Sequence, residues 1–209
     1  MGVMNSRGAV LKAAERIFAL QGFDGARIDQ IARDAKVNKA LIYYYFRSKE
    51  RLFLAVLEDL FSGLQARIES AARSSSNAEE RFFDMVTAYF DFVDRRRTYP
   101  QIIQREVIGE GKFLGAIARH LQPMYKVATR IIQEGIKAGR FRKVDPGQLL
   151  LSAVGMIVFY FNSAKLFGMV AKTKALSPAG VALRRREIVE LLKRGLLTPQ
   201  GCVRREIEP

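Results

Sequence analysis

Apolar residues recur three and four positions apart along nearly the whole chain, and neither strand-like alternation nor a two-residue hairpin turn stands out. That period predicts an all-α protein of about nine helices. The first runs from about Arg7 to Gln21 with Val10, Ala14, Ile17 and Phe18 on one face, and Gly22–Gly25 ends it in a turn. A second, Ile28–Ala35, points Ile28, Ile31 and Ala32 inward. After a tight turn at Lys36–Asn38 comes a third, Lys39–Phe46, with Asn38 as its N-cap. Isolated helices below ~12 residues are marginal in water, so this short one must be held by its neighbours. Ser48 caps a fourth, which opens on Lys49 and carries Leu52, Val56, Leu60 and Leu64 at four-residue spacing, enough to outrun a small domain.

Arg73–Ser76 is polar and reads as a loop. The fifth helix starts at Asn77, with Glu79 and Glu80 suiting the dipole of its first turn, and gathers Phe82, Val86, Tyr89, Phe90 and Val93 on one face before Arg95–Arg97. A short helix, Pro100–Ile108, precedes Gly109 and Gly111. A longer pattern from Phe113 to about Ala138 contains Pro123, which should kink or divide it, and Gly139 suits its C′ position. Asp145-Pro146 then opens an apolar helix that runs to Phe167, before Gly168. Ser177-Pro178 repeats that start signal for a last helix ending near Leu197, and a charged tail follows. The division expected is 1–52, 53–198 and a tail, 199–209.

Composition narrows the partners. With 49% apolar residues, the 209-residue chain can build a proper core. A net charge of +14 favours a polyanionic partner, nucleic acid first and an anionic membrane surface second. A single cysteine, Cys202, leaves no internal disulfide and suits a reducing cytoplasm. No apolar signal segment precedes the first helix, so secretion is not expected. Asp145 to Lys165 is free of intervening charge and approaches the ~20 residues of a membrane span. Its strongly apolar part is only Leu149–Phe161, the length of a buried core helix, so a soluble cytoplasmic protein with no membrane partner is expected.

The candidate chemistry sits on the third helix. Lys39, Tyr43, Tyr44 and Tyr45 give it more polar-tipped aromatic surface than burial requires. Lys49 is a cation at a helix start, where the dipole disfavours it; a phosphate bound between it and the first N–H groups would reverse that penalty. The pattern Ala14–Phe18, Gly22-Phe23, Ile28-x-x-Ile31-Ala32, Val37 and Tyr43-Tyr44-Tyr45-Phe46-x-Ser48-Lys49-Glu50-x-Leu52 resembles the N-terminal domain of TetR/AcrR-type transcriptional regulators. It covers roughly the first quarter of the chain. Downstream, the likeness is in kind: all helical, with the Gly139–Pro146 step before an apolar helix.

The resemblance implies a helix-turn-helix reader of double-stranded DNA, with Arg27, Asn38, Lys39, Ala40, Leu41, Tyr43, Tyr44, Tyr45 and Lys49 at the interface. Lys39, at the helix start, can reach guanine O6/N7, while Tyr43 and Lys49 are implied phosphate contacts. Three positions depart from the family pattern. Arg27 replaces a capping Thr, Lys36 a turn glycine, and Leu41 a DNA-contacting Thr. The last favours a thymine methyl as target.

One reading helix covers too few base pairs to find a genomic site, so such modules pair on two-fold symmetric operators. Leu149, Ala153 and Met156, followed by Val189, Leu192 and Leu196, are the expected homodimer face. The family also implies a small-molecule effector. Its candidate pocket, among the fourth to eighth helices, is lined by Phe82, Met85, Tyr89, Phe113, Met124, Tyr125, Phe159 and Asn162, with Gln104, Glu106 and His120 as polar groups; ordinary core packing competes for each. The function expected is a ligand-responsive regulator, by family habit a repressor, released by a hydrophobic or aromatic molecule. The rivals are a sequence-nonspecific DNA organiser and a small helical enzyme using the pocket. No catalytic residue, metal ligand set or cofactor is assigned: His120 and Cys202 are far apart, and no Gly-rich phosphate loop occurs.

Overall fold

Local capping explains most of the helix boundaries in the computed structural model, which describes residues 3–109 and 111–199. The tail beyond Pro199, with Cys202, lies outside the described residues. In order the helices are α1 (Val3–Gly25), α2 (Ile28–Ala35), α3 (Lys39–Phe46), α4 (Lys49–Ala72), α5 (Ala78–Arg95), α6 (Thr98–Ile108), α7 (Leu114–Lys137), α8 (Pro146–Val170) and α9 (Pro178–Leu196). No strand occurs among the described residues; Phe141 and Leu197 form one isolated bridge. Asn77, Asp145 and Ser177 cap α5, α8 and α9 by accepting the N–H of Glu79, Gln148 and Gly180.

Two compact units emerge. One is the chain up to Gly63 together with Arg97–Leu121; the other is Leu64–Arg96 together with the chain from Gln122 onward. The first unit therefore takes α6 and the start of α7, which a division after residue 52 assigns elsewhere. Its core joins Val10, Ala14 and Phe18 of α1 to Ile31, Ile42, Phe46, Leu52 and Phe53, all buried. Gly22, at φ 72°, interrupts α1. Arg105 of α6 satisfies the carbonyls freed there, donating from Nε to Ala19 O at 3.0 Å and from Nη2 to Leu20 O at 2.8 Å.

In the second unit, Glu79, only 2% exposed, pairs with Arg140 at 2.6 Å. Phe141 packs on Phe82, and its ring lies so close to Gly135 that a Cβ there would meet it at 2.2 Å. The N–H of Arg142 donates to Leu196 O at 2.8 Å and that of Thr198 to Arg140 O at 3.1 Å. The Gly-Arg-Phe-Arg step thus ties the end of α7 to the end of α9.

Four boundaries differ from the sequence reading. α1 extends on both sides of Arg7–Gln21, across the Gly22 break. α6 begins at Thr98 because Pro100 falls in its first turn, where a missing N–H costs nothing. α7 runs undivided through Pro123, which lies on its exposed side, where water can satisfy the carbonyl left without a donor. α8 continues past Gly168 to Val170; the Thr173 N–H closes on Gly168 O at 2.9 Å.

A fifth difference matters more. α8 is not the buried core helix expected: Ala153, Ile157, Phe161 and Ala164 are buried, but Leu151, Phe159 and Leu166 on the opposite side are 67, 60 and 62% exposed. By length and composition alone α8 could cross a bilayer.

Lys36 holds the turn that its missing glycine would have made. It sits at φ 56°, ψ 42°, with its N–H on Arg33 O at 3.1 Å and the Val37 N–H on Ala32 O at 3.0 Å. A side chain in this region is strained, so Lys36→Gly should stabilise the protein by about 0.5–1 kcal/mol, read as a higher melting temperature.

Candidate nucleic-acid interface

α3 is held from within and leaves much of its other side exposed. Ile42 and Phe46, four apart, are buried against the α1–α2 pair. Asn38 Oδ1 accepts the Ala40 N–H at 2.8 Å, and Arg47, at φ 66°, ends the helix with its N–H on Tyr43 O. Lys39, Ala40, Tyr43 and Tyr44 are exposed, while Leu41 and Tyr45 are half-buried. The Tyr45 ring meets Tyr44 and Phe46 edge-on, with centroids 5.5 and 6.1 Å away. Arg27 offers no side-chain cap to α2; instead Gln30 Oε1 accepts the Arg27 N–H at 3.3 Å, half a capping box, and the guanidinium stays on the surface.

Two of the sequence-predicted contacts have other occupations. Asn38 commits its carbonyl oxygen to the α3 cap, accepting the Ala40 N–H. Lys49 is not held open for a phosphate: its Nζ donates to Ala26 O at 3.0 Å and Asp24 O at 3.3 Å and lies 4.5 Å from the Phe23 ring centroid. Backbone carbonyls at the end of α1 thus supply the partial negative charge that offsets a cation at the start of α4. Glu50 pairs with Lys112 at 3.3 Å, and Lys112 also covers Phe23 at 4.2 Å. The backbone N–H of Glu50, followed by Lys112 and Ser48, holds that carboxyl below the ordinary range.

Lys39 is the cation most directly poised at the α3 start, and it is not alone. Its Nζ lies 2.8 Å from Asp29 Oδ1, and the hydrogen bond raises the pKa of Lys39 and lowers that of Asp29. Sequence alone does not single out Asp29, Arg105 or Lys112. An acid in the first turn of α2 reads as a dipole partner, and Arg105 lies too far along the chain from Ala19 for local pattern to connect them.

The pocket candidates are divided between the two compact units. In the first unit, Phe113 joins the rings of Phe23 and Phe53, centroids 4.8 and 4.5 Å away, and is core. His120 stacks on Phe61 at 4.9 Å and approaches Glu58, while Gln104 is exposed. Glu106 is 6% exposed, and its Oε2 has no hydrogen-bond partner among the described residues. In the second unit Phe82, Met85 and Met124 are buried, Tyr89 and Asn162 half-buried, and Tyr125 and Phe159 exposed.

Burial pushes the Glu106 carboxyl above the ordinary glutamate range, against the Phe113 N–H that favours its charged form. The folded chain therefore holds this proton more tightly than the unfolded one. Its contribution is complete below the ordinary glutamate value and is lost as pH rises through the raised one. Glu106→Gln should flatten that part of the stability–pH curve, measured by thermal melts across acidic to neutral pH.

The dimer candidates also divide. Ala153, Leu192 and Leu196 are buried within their own unit, so they are unavailable to a partner; Leu149, Met156 and Val189 are half-buried. The accessible apolar face is turned further round α8 and α9, through Leu151, Phe159, Leu166, Leu183 and Leu191, with Gly155 between.

An α2–turn–α3 pair whose second helix exposes a basic, tyrosine-rich face defines a helix-turn-helix DNA-binding protein. Family comparisons agree. The model for "Bacterial regulatory proteins, tetR family" matches residues 10–56, and that for "Tetracyclin repressor-like, C-terminal domain" matches residues 79–192. The second spans more than half of the chain, which belongs to the TetR family of transcriptional regulators. The HTH-type transcriptional repressor NicS of Pseudomonas putida is 26% identical over 162 residues, 76% of each chain. The HTH-type transcriptional activator FasR of Mycolicibacterium smegmatis is 28% identical over 162 residues, 76% of this chain and 70% of that one. The ketosteroid transcriptional regulator KstR2 of Mycobacterium tuberculosis shares the fold, with a TM-score of 0.76 at 19% identity over 92% of this chain and 95% of that one.

Proposed function

We propose that this TetR-family regulator is a cytoplasmic repressor that binds a palindromic operator as a homodimer and leaves it when a small hydrophobic or aromatic effector binds. The observation that carries the pairing is the exposed apolar face of α8 and α9, from Leu151 and Phe159 to Leu183 and Leu191. Contiguous apolar surface of this kind is costly to leave in water, and a two-fold axis lets one patch cover itself. The reading surface is then Lys39, Ala40, Leu41, Tyr43 and Tyr44, with Arg27 and Tyr45 toward the flanking backbone. Lys49 acts indirectly, by holding the α1–α2 loop. Repression is the simpler outcome, since a dimer seated on a duplex blocks access without a further surface.

The effector can shift the DNA-bound population only by its differential affinity for two forms of the dimer, on the order of 1–3 kcal/mol of coupling in typical cases. α4 is the candidate lever, because this continuous helix carries Lys49 at one end and the buried Leu60 and Leu64 further along, and both compact units draw on it.

Selection from a random duplex pool at about 150 mM salt tests the reading. An enriched palindrome that disappears with Tyr43→Ala is expected. Binding that falls with salt but enriches no sequence would favour a nonspecific organiser instead.

A further inference from the structure

Lys39 opens the helix assigned to base reading, and its ammonium rests on a carboxylate. Nζ lies 2.8 Å from Oδ1 of Asp29, in the first turn of α2, and the two side chains are 49 and 64% exposed. Around that carboxylate stand three cations, Lys39, Arg33 and Arg27, each acting on it. An acid in such a place works against simple attraction to DNA. It repels phosphates and cancels one cation of a surface whose partner is a polyanion.

An acid in the first turn of a helix has an ordinary explanation in the helix dipole. That accounts for Asp29 near the start of α2, but not for its hydrogen bond to the first residue of α3. Lysine is a flexible point charge with three donors on a four-carbon stem, so a free Lys39 would swing among phosphates and base edges alike. With one N–H committed to Asp29, the remaining two project from a fixed point at the N-terminus of α3. That is the end of a recognition helix that meets bases in this mode of docking.

We infer that Asp29 is a specificity-positioning residue: it pins the Lys39 ammonium at the start of α3, making it a directed donor to guanine O6/N7 and lowering affinity for DNA that lacks a guanine there. The inference rests on the DNA-reading role of α3 proposed above. It adds that discrimination at one operator position depends on a residue that need not touch DNA.

The test is the same duplex selection carried out with the wild type, Asp29→Asn and Lys39→Ala, followed by titration of the enriched site and of random duplex at several salt concentrations. The wild type should show one guanine preference per half-site that Lys39→Ala loses. Asp29→Asn should lose about tenfold of the discrimination at that same position. It should also bind random duplex several-fold more tightly, with a steeper salt dependence. If Asp29→Asn weakens binding evenly and leaves the base preference intact, the residue serves only its own helix and the inference is overturned. If the wild type itself enriches no palindrome, the operator-reading proposal fails, and this inference with it.

Discussion

Glutamate at both Leu151 and Leu191 should leave this protein monomeric and weaken operator binding by about a thousandfold or more. Both side chains stand on the uncovered sides of α8 and α9, so within one chain the substitutions meet water and the fold should persist, visible as unchanged helicity. In a two-fold interface each change counts twice, placing four unpaired carboxylates where apolar surface should be buried, at several kcal/mol apiece. A monomer must then find one half-site with one α3, and loses most of the margin over nonspecific DNA. Sedimentation and operator titration read the two effects separately. A double variant that remains dimeric would place the pairing surface elsewhere.

Phe113→Ala should cost about 3–5 kcal/mol, as truncation of a buried aromatic generally does. The side chain is 6% exposed and touches the rings of Phe23 and Phe53, while neighbouring Lys112 reaches Phe23 and Glu50. Such a loss is a large part of the roughly 5–15 kcal/mol that holds a domain together, so DNA binding should fail at a lower temperature than in the wild type. Urea titration measures it, and Phe113→Leu should recover much of the loss. An unchanged unfolding midpoint with a lost effector response would return Phe113 to a ligand pocket.

The sequence-based reading succeeded where signals are local. α2 and α3 begin and end at the residues expected, because Asn38, the Lys36 turn and the buried Ile42–Phe46 pair act within a few positions. Lys49 shows the limit: position alone said that a helix-start lysine needs an anion, and the structure supplies carbonyls from 23 and 25 residues earlier in the chain. α8 was misplaced for another reason. It is apolar all round, so periodicity cannot say which face turns inward: Ala153, expected to face a partner, is buried within its own chain, while Leu151 and Phe159 are exposed. On α9 the same ambiguity sent Leu192 and Leu196 outward, where they are in fact core. For the pocket candidates sequence decides little, because aromatic and Met residues at helical spacing look alike whether they line a cavity or fill a core.

The most direct test is the mass of the complex formed on the selected DNA site. Light scattering of protein titrated onto that duplex should give two chains per palindrome, with half-sites about one helical turn apart. A single chain per site, or complexes that grow with duplex length without a defined stoichiometry, would contradict the operator-reading dimer.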